Sequence, residues 1–178
     1  AGDVGRPLVV LVTSRDVMTP EPEDPLPAGG FLLDMASHDY DTACWILGDE
    51  PVSVQALRQT SVFPELEGLG DVDNAIVSVR FAGGGLATTH VSRTCAWGHD
   101  VRVEVVGSEG SVLLGTDVSQ AGVATVTNAD AERFPVDYRA LFTDAYVAEL
   151  QAFVDACNGD GAPGPGLDDD RRAVAVGI

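Results

Sequence analysis

The 178-residue chain contains no lysine: its ten basic residues are all arginine, set against 28 aspartates and glutamates, for a formal net charge of −18. A surface so poor in cations repels a phosphate backbone, which argues against nucleic acid as a partner and leaves a solvated acidic exterior as the plain reading. Long apolar runs are missing too. Nothing approaches the ~18 consecutive apolar residues of a membrane-spanning helix, and Ala1 to Pro7 lack the basic-then-apolar order of a secretion signal. Cysteine is scarce. Cys44, Cys95 and Cys157 are widely separated and odd in number, which disfavours a disulfide framework or zinc cluster and fits buried thiols in a reducing, cytoplasmic compartment. No Gly-x-Gly-x-x-Gly loop joins a strand to a helix. Gly83-Gly84-Gly85 lies between two strand-like segments, where it cannot cradle a pyrophosphate at a helix start.

With 45% hydrophobic residues, the chain can bury one good-sized core. Pro7–Thr13 reads as a strand rich in branched residues, and the proline-crowded Met18–Gly30 as a loop. Phe31–Leu47 follows as a helix ended by Gly48, and Val52–Leu57 as a strand. Asn74–Phe81 and Leu86–Ser92 flank the glycine triplet as a hairpin; Val101–Val106 and Ser111–Leu114 form a second around 107–110. Ala124–Thr127 and Glu132–Val136 are edge-strand candidates. Leu141–Ala156 is an amphipathic helix with Phe142, Tyr146, Leu150 and Phe153 on one stripe, and a further helix opens at the acidic 168–170. The order predicts an α+β domain: an open, predominantly antiparallel sheet with helices packed on one face.

The chemistry concentrates on the helix from Phe31. At about 100° per residue, Asp34, His38, Asp41 and Trp45 share an arc of roughly 60°, while Leu32, Met35, Ala36, Ala43, Ile46 and Leu47 form the core stripe. A polar helix face is ordinarily a solvent face. This one carries short carboxylates, imidazole and indole instead of long charged side chains, and it follows Gly29-Gly30, which permits close approach of a backbone or ligand. An imidazole one turn from a carboxylate can be held in one tautomer and made more basic, which suits removal of a hydroxyl proton. The same Asp-x-x-x-His spacing could supply metal ligands, although no second cluster of ligand spacing accompanies it.

The run Gly29-Gly-Phe-Leu-Leu-Asp-Met-Ala-Ser-His-Asp-Tyr-Asp41 resembles the signature of the glucose–fructose oxidoreductase/inositol dehydrogenase (Gfo/Idh/MocA) family, and is most like its inositol 2-dehydrogenases. The resemblance continues through Gly2–Pro7, Thr13–Asp16, Ser92–Arg102, Val105–Gly110 and Ala145–Phe153, so it covers nearly the whole chain. It implies a two-domain NAD- or NADP-dependent enzyme that oxidises a cyclic polyol or sugar hydroxyl. Residues 1–178 would be its C-terminal substrate-binding and oligomerisation domain, and the Rossmann domain that binds most of the cofactor would lie outside this chain. By the match His38 is the acid/base, Asp34 orients it, and Asp41 and Asp16 meet substrate. Trp97 and His99 stand where the family often has two tyrosines, departures that point to a different substrate preference. The family's catalytic lysine has no counterpart, so the chain alone is expected to be inactive.

The expected partners are a small polyol or sugar and further copies of the chain, a dimer or tetramer through the open sheet face; Ile76, Val77 and Val79 are candidates for that surface. Two other readings stay open: a non-catalytic binding or oligomerisation module, and a metal-dependent hydrolase or isomerase using Asp34, His38 and Asp41. Cys44 and Cys157 fall inside predicted helices as small apolar filler. Trp45 and Trp97 read most simply as packing aromatics, and His90 as a satisfied strand histidine. Arg93 and Arg102 are expected to pair across strands with acids such as Glu104.

Overall fold

The computed structural model describes residues 4–17, 29–115, 137–161 and 164–177. Six strands, β1 (Pro7–Val17), β2 (Pro51–Gln59), β3 (Asn74–Phe81), β4 (Leu86–Cys95), β5 (Asp100–Gly107) and β6 (Ser111–Gly115), form one sheet in the order β2-β3-β4-β1-β5-β6. The glycine clusters make the two expected hairpins, β3 with β4 and β5 with β6. Gly84 takes φ +91° in the first turn, a conformation that favours glycine. The sheet is mostly antiparallel, yet mixed, because β1 runs parallel to β4 and antiparallel to β5. The strand candidates within 116–136 lie outside the described residues, as does most of the proline-rich loop.

Alternation along β1, β3 and β4 points Val10, Val12, Ala75, Val77, Val79, Phe81, Ala87 and Val91 to one face. Each large apolar side chain buried there contributes about 1.5–3 kcal/mol over its exposed state. Three helices cover this face: α1 (Phe31–Asp34), α2 (Ser37–Leu47) and α4 (Leu167–Gly177), which adds Ala173 and Val176 to the core. Of Ile76, Val77 and Val79, expected on an exposed surface, only Ile76 is exposed. Its neighbours in sequence alternate inward with the pleat.

The expected helix over Phe31–Leu47 is interrupted at Met35-Ala36. No glycine or proline marks the break. Each piece is anchored separately: the Phe31 N–H donates to the Asp71 carboxylate, and Asp39 in the second piece bonds to strand hydroxyls. Gly48 ends α2 in the left-handed conformation as expected. The expected core stripe keeps Ala36 and Ala43 buried and Leu32, Met35, Ile46 and Leu47 half-buried, and Tyr40 and Cys44 join it. The helix α3 (Tyr138–Asn158) is longer than its stripe suggested and buries none of its residues; Tyr146, Leu150 and Phe153 are exposed. Cys157, expected as a buried thiol, is exposed at the end of α3.

Before β3 the chain makes a 3-10 turn over Pro64–Leu69 and then places Asp73 wholly inside, at 0% exposure. Its carboxylate accepts from the backbone N–H groups of Ser61, Val62 and Phe63 at 2.7–3.1 Å and from the Asn74 amide at 2.9 Å. This one side chain therefore satisfies the donors of a whole loop turn.

Candidate active site

The site residues gather where β1 and β4 end and β3 begins, an end of the sheet fixed by the pairing of Ser92 with both Arg15 and Asn74. Arg93 holds this corner. Its guanidinium lies 3.5 Å from the Asp71 carboxylate and 4.4 Å above the Phe31 ring, so the segment entering α1 is clamped by charge and by cation–π contact. Gly30, at φ +99°, lets the chain turn into α1 beside Asp71.

At the start of α2, Asp39 points inward and is buried. The Ser14 hydroxyl of β1 donates to it at 2.7 Å and the Thr89 hydroxyl of β4 donates to its other oxygen. Burial pushes the Asp39 carboxyl above its ordinary value, against the opposing pull of Thr89, Ser14 and His38, while Asp16 adds to the rise. Asp39 thus welds α2 to two central strands immediately beside His38. In the sequence Asp39 stands out only as one acid of the Gly29–Asp41 signature. A carboxylate among Ala36, Tyr40 and Ala43, on the stripe assigned to the core, was the available signal.

On β1 and β5 a buried charge network sets the register. Asp100, 1% exposed, accepts from Arg15 at 2.7 Å and from the Arg102 Nη2 at 2.9 Å, with the Arg102 Nε 2.8 Å from its other oxygen as an ion-pair contact, and Arg15 also donates to His90 Nδ1 at 3.4 Å. Arg102 therefore pairs within its own strand to Asp100, and Arg93 pairs with Asp71. Neither uses Glu104, whose cross-strand partners are Leu11 and Leu113. Burial, then the charges of Arg15 and Arg102, hold His90 below its ordinary value, so it acts as a neutral acceptor.

Arg15 lies opposite Asp100 at the end of the antiparallel pairing, and just beyond it the Asp16 side chain meets His99, in the turn that leads into β5. Asp16 Oδ1 and His99 Nδ1 are 3.0 Å apart; His99 is buried and Asp16 half-exposed. The Tyr138 ring meets His99 edge-on at 6.3 Å. Trp97 is half-buried, and its indole N–H is enclosed without a hydrogen-bond partner among the described residues.

His38 and Asp34 are both exposed and make no hydrogen bond to each other. Asp41 is half-buried against the acidic start of α4: burial first, then Asp169 and Asp170, raise its carboxyl, with Arg172 and His38 opposing. Trp45 is 81% exposed. The structure thus brings together Asp16 and His99, and sets His38 within electrostatic reach of Asp39 and Asp41; Asp34 and Trp45 project from the helical face towards solvent. Among the described residues no three His, Cys, Asp or Glu side chains converge as a metal site, and no helix is long and apolar enough to cross a membrane.

Residues 1–178 match the family model described as the oxidoreductase family, C-terminal alpha/beta domain. The chain is 35% identical over 165 residues to the scyllo-inositol 2-dehydrogenase (NAD(+)) of Bacillus subtilis, covering 92% of this chain and 48% of that protein. It is 33% identical over 177 residues to the myo-inositol 2-dehydrogenase of Thermotoga maritima, covering 99% and 53%. Among solved structures, a myo-inositol dehydrogenase from Corynebacterium glutamicum superposes with a TM-score of 0.82 at 27% identity, over 99% of this chain and 53% of the other. The chain spans about half the length of the curated relatives it matches.

Proposed function

This chain belongs to the Gfo/Idh/MocA family of oxidoreductases as a C-terminal α/β domain, and from that membership we propose that it supplies the substrate-binding part of an NAD-dependent enzyme oxidising a hydroxyl of a cyclic polyol such as an inositol. The observation that carries the proposal is the cluster at one sheet end: an exposed imidazole, His38, beside the buried Asp39, with Asp16 on β1 and His99 in the turn before β5 close by. In this reading His38 takes the proton of the reacting hydroxyl, Asp34 orients and polarises it, and Asp41, Asp16, His99 and Trp97 meet the remaining hydroxyls. NAD follows from the Bacillus subtilis relative, named for that cofactor.

Gly83–Gly85 turns between β3 and β4 and so opens no helix at which a pyrophosphate could sit. The reading therefore assigns cofactor binding to a companion domain and the substrate's hydroxyls to residues 1–178. The test is a fusion of this chain to the remaining half of the Bacillus subtilis relative, assayed by NAD+ reduction with myo- and scyllo-inositol. Turnover with either is expected; a folded fusion that binds NAD+ and oxidises no polyol would overturn the proposal.

The sheet face away from the helices supports self-association as a second role. Leu11, Leu57, Ile76 and Leu86 are exposed on it, and register places them on one side. Sedimentation of the chain should show a dimer or tetramer that Ile76→Asp dissociates. A monomer at high concentration would count against this surface.

A further inference from the structure

We propose that Asp16 and His99 act as one hydrogen-bonding device: Asp16 is a positioning residue that locks the His99 ring, and His99 is a specificity-determining residue that presents Nε2 as the acceptor for one hydroxyl of the bound polyol. The inference rests on the polyol reading above and goes beyond it by assigning a donor–acceptor sense to one subsite.

Arg15 pairs with Asp100 at the end of the β1–β5 ladder and holds it by an ion pair at 2.7 Å, so the residues that follow and precede them, Asp16 and His99, leave the ladder side by side and meet at 3.0 Å. An ionised carboxylate only accepts hydrogen bonds, so at 3.0 Å from Asp16 Oδ1 the His99 Nδ1 must carry the proton. In the neutral ring that leaves the lone pair on Nε2, which makes no hydrogen bond to a described residue. Ring rotation is opposed by burial of His99 and by the Tyr138 ring set edge-on against it. The acceptor is thus pre-oriented, and its direction is decided by Asp16.

The device also selects. A free hydroxyl can donate to Nε2, whereas a deoxy centre leaves the lone pair unpaired. A carboxylate or phosphate there would meet both that lone pair and the negative charge of Asp16. A neutral polyol with a hydroxyl at that position is the fitting substrate, and one lacking it is rejected.

Two measurements test this. In the ¹⁵N-labelled chain at neutral pH, the His99 ring nitrogens should report the Nδ1–H tautomer, and Asp16→Leu should shift the ring to a mixture dominated by Nε2–H. In the fused enzyme, with the inositol isomer it turns over best, His99→Phe should raise KM about tenfold to a hundredfold with kcat changed far less. His99→Gln, which keeps an acceptor, should recover much of the loss, and Asp16→Leu should raise KM several-fold. An Nε2–H spectrum in the wild-type chain, or kinetics of Asp16→Leu matching wild type, overturns the device whatever else the enzyme does. So does equal KM for His99→Phe, or no recovery with His99→Gln. A fused enzyme that oxidises no polyol overturns the functional reading and with it the hydroxyl-binding role of His99, while the tautomer spectrum still reports on the pair.

Discussion

Replacing His38 by alanine in the fused enzyme is expected to lower kcat by about 10²- to 10⁴-fold while KM changes little, the range ordinarily supplied by one positioned acid–base group. The expectation follows from where His38 sits. Its imidazole is exposed at the first turn of α2, whereas His90 accepts from Arg15 and His99, buried, is fixed through Nδ1 by Asp16. Accepting a proton makes the ring cationic, and the carboxylates of Asp39 and Asp41 lie close enough for their ionisation to feel that charge. Asp39 cannot drift away, because Ser14 and Thr89 pin it to the sheet. A base held beside fixed carboxylates loses its whole contribution when the ring is removed, and alanine leaves the helix intact. His90→Asn, which keeps an acceptor for Arg15, serves as the control and should leave kcat near wild type. Near-normal turnover of His38→Ala at saturating polyol would sink the catalytic assignment.

The sequence made the local elements readable. Glycine clusters located both hairpins, branched residues located β1, and Gly48 located the end of α2. The helical stripe was right in phase because packing against a flat sheet rewards one face of a helix, and the break at Met35-Ala36 does not change that face. What local pattern could not carry was pairing between distant segments. The parallel contact of β1 with β4 joins residues as far apart as Val9 and Leu86, and no periodicity encodes it. The same limit hid the ion pairs: the expected cross-strand pairing of Arg93 and Arg102 with acids such as Glu104 gives way to Asp71 for Arg93 and to Asp100, shared with Arg15, for Arg102. Asp16 and His99 each stand out by resemblance, yet only the folded chain shows that they touch, just past the end of the β1–β5 ladder. Asp39 teaches the converse. An acid in an apolar stripe looks like an error of pattern until the two hydroxyls that satisfy it are found across the sheet.

Asp73→Ala should be the most destabilising substitution of a single polar side chain, by about 3–5 kcal/mol, because it strips three backbone N–H groups and one amide of their acceptor at once. Water can reach part of a loop turn, which is why the loss is set below the sum for four bonds. Even so it is a large share of the ~5–15 kcal/mol that holds a domain folded. The pH dependence identifies the mechanism. Burial pushes the Asp73 carboxyl up, but the donations from Val62, Phe63, Asn74 and Ser61 together outweigh it, so in the folded chain it lies below its ordinary value of 3.8. A folded value below the unfolded one means that the unfolded chain binds the proton more readily. The stabilisation is therefore complete above the unfolded value and is lost as pH falls from about 3.8 through the lower folded value. Urea titrations of wild type and Asp73→Ala should thus differ widely at pH 7 and converge towards pH 2. Asp73→Asn should resemble alanine more than wild type at pH 7, since the amide replaces one acceptor oxygen with a donor facing donors. A gap between wild type and alanine that stays constant with pH would show that packing, not the carboxylate's charge, is what the loop needs. A gap under about 0.5 kcal/mol at pH 7, the scale of an ordinary surface change, would show that the loop is satisfied without Asp73. The connection to chemistry is positional: Asp73 sits at the head of β3, on the sheet end that carries Arg93, Asp16 and the start of α2. Its loss should therefore loosen the site before the rest of the sheet.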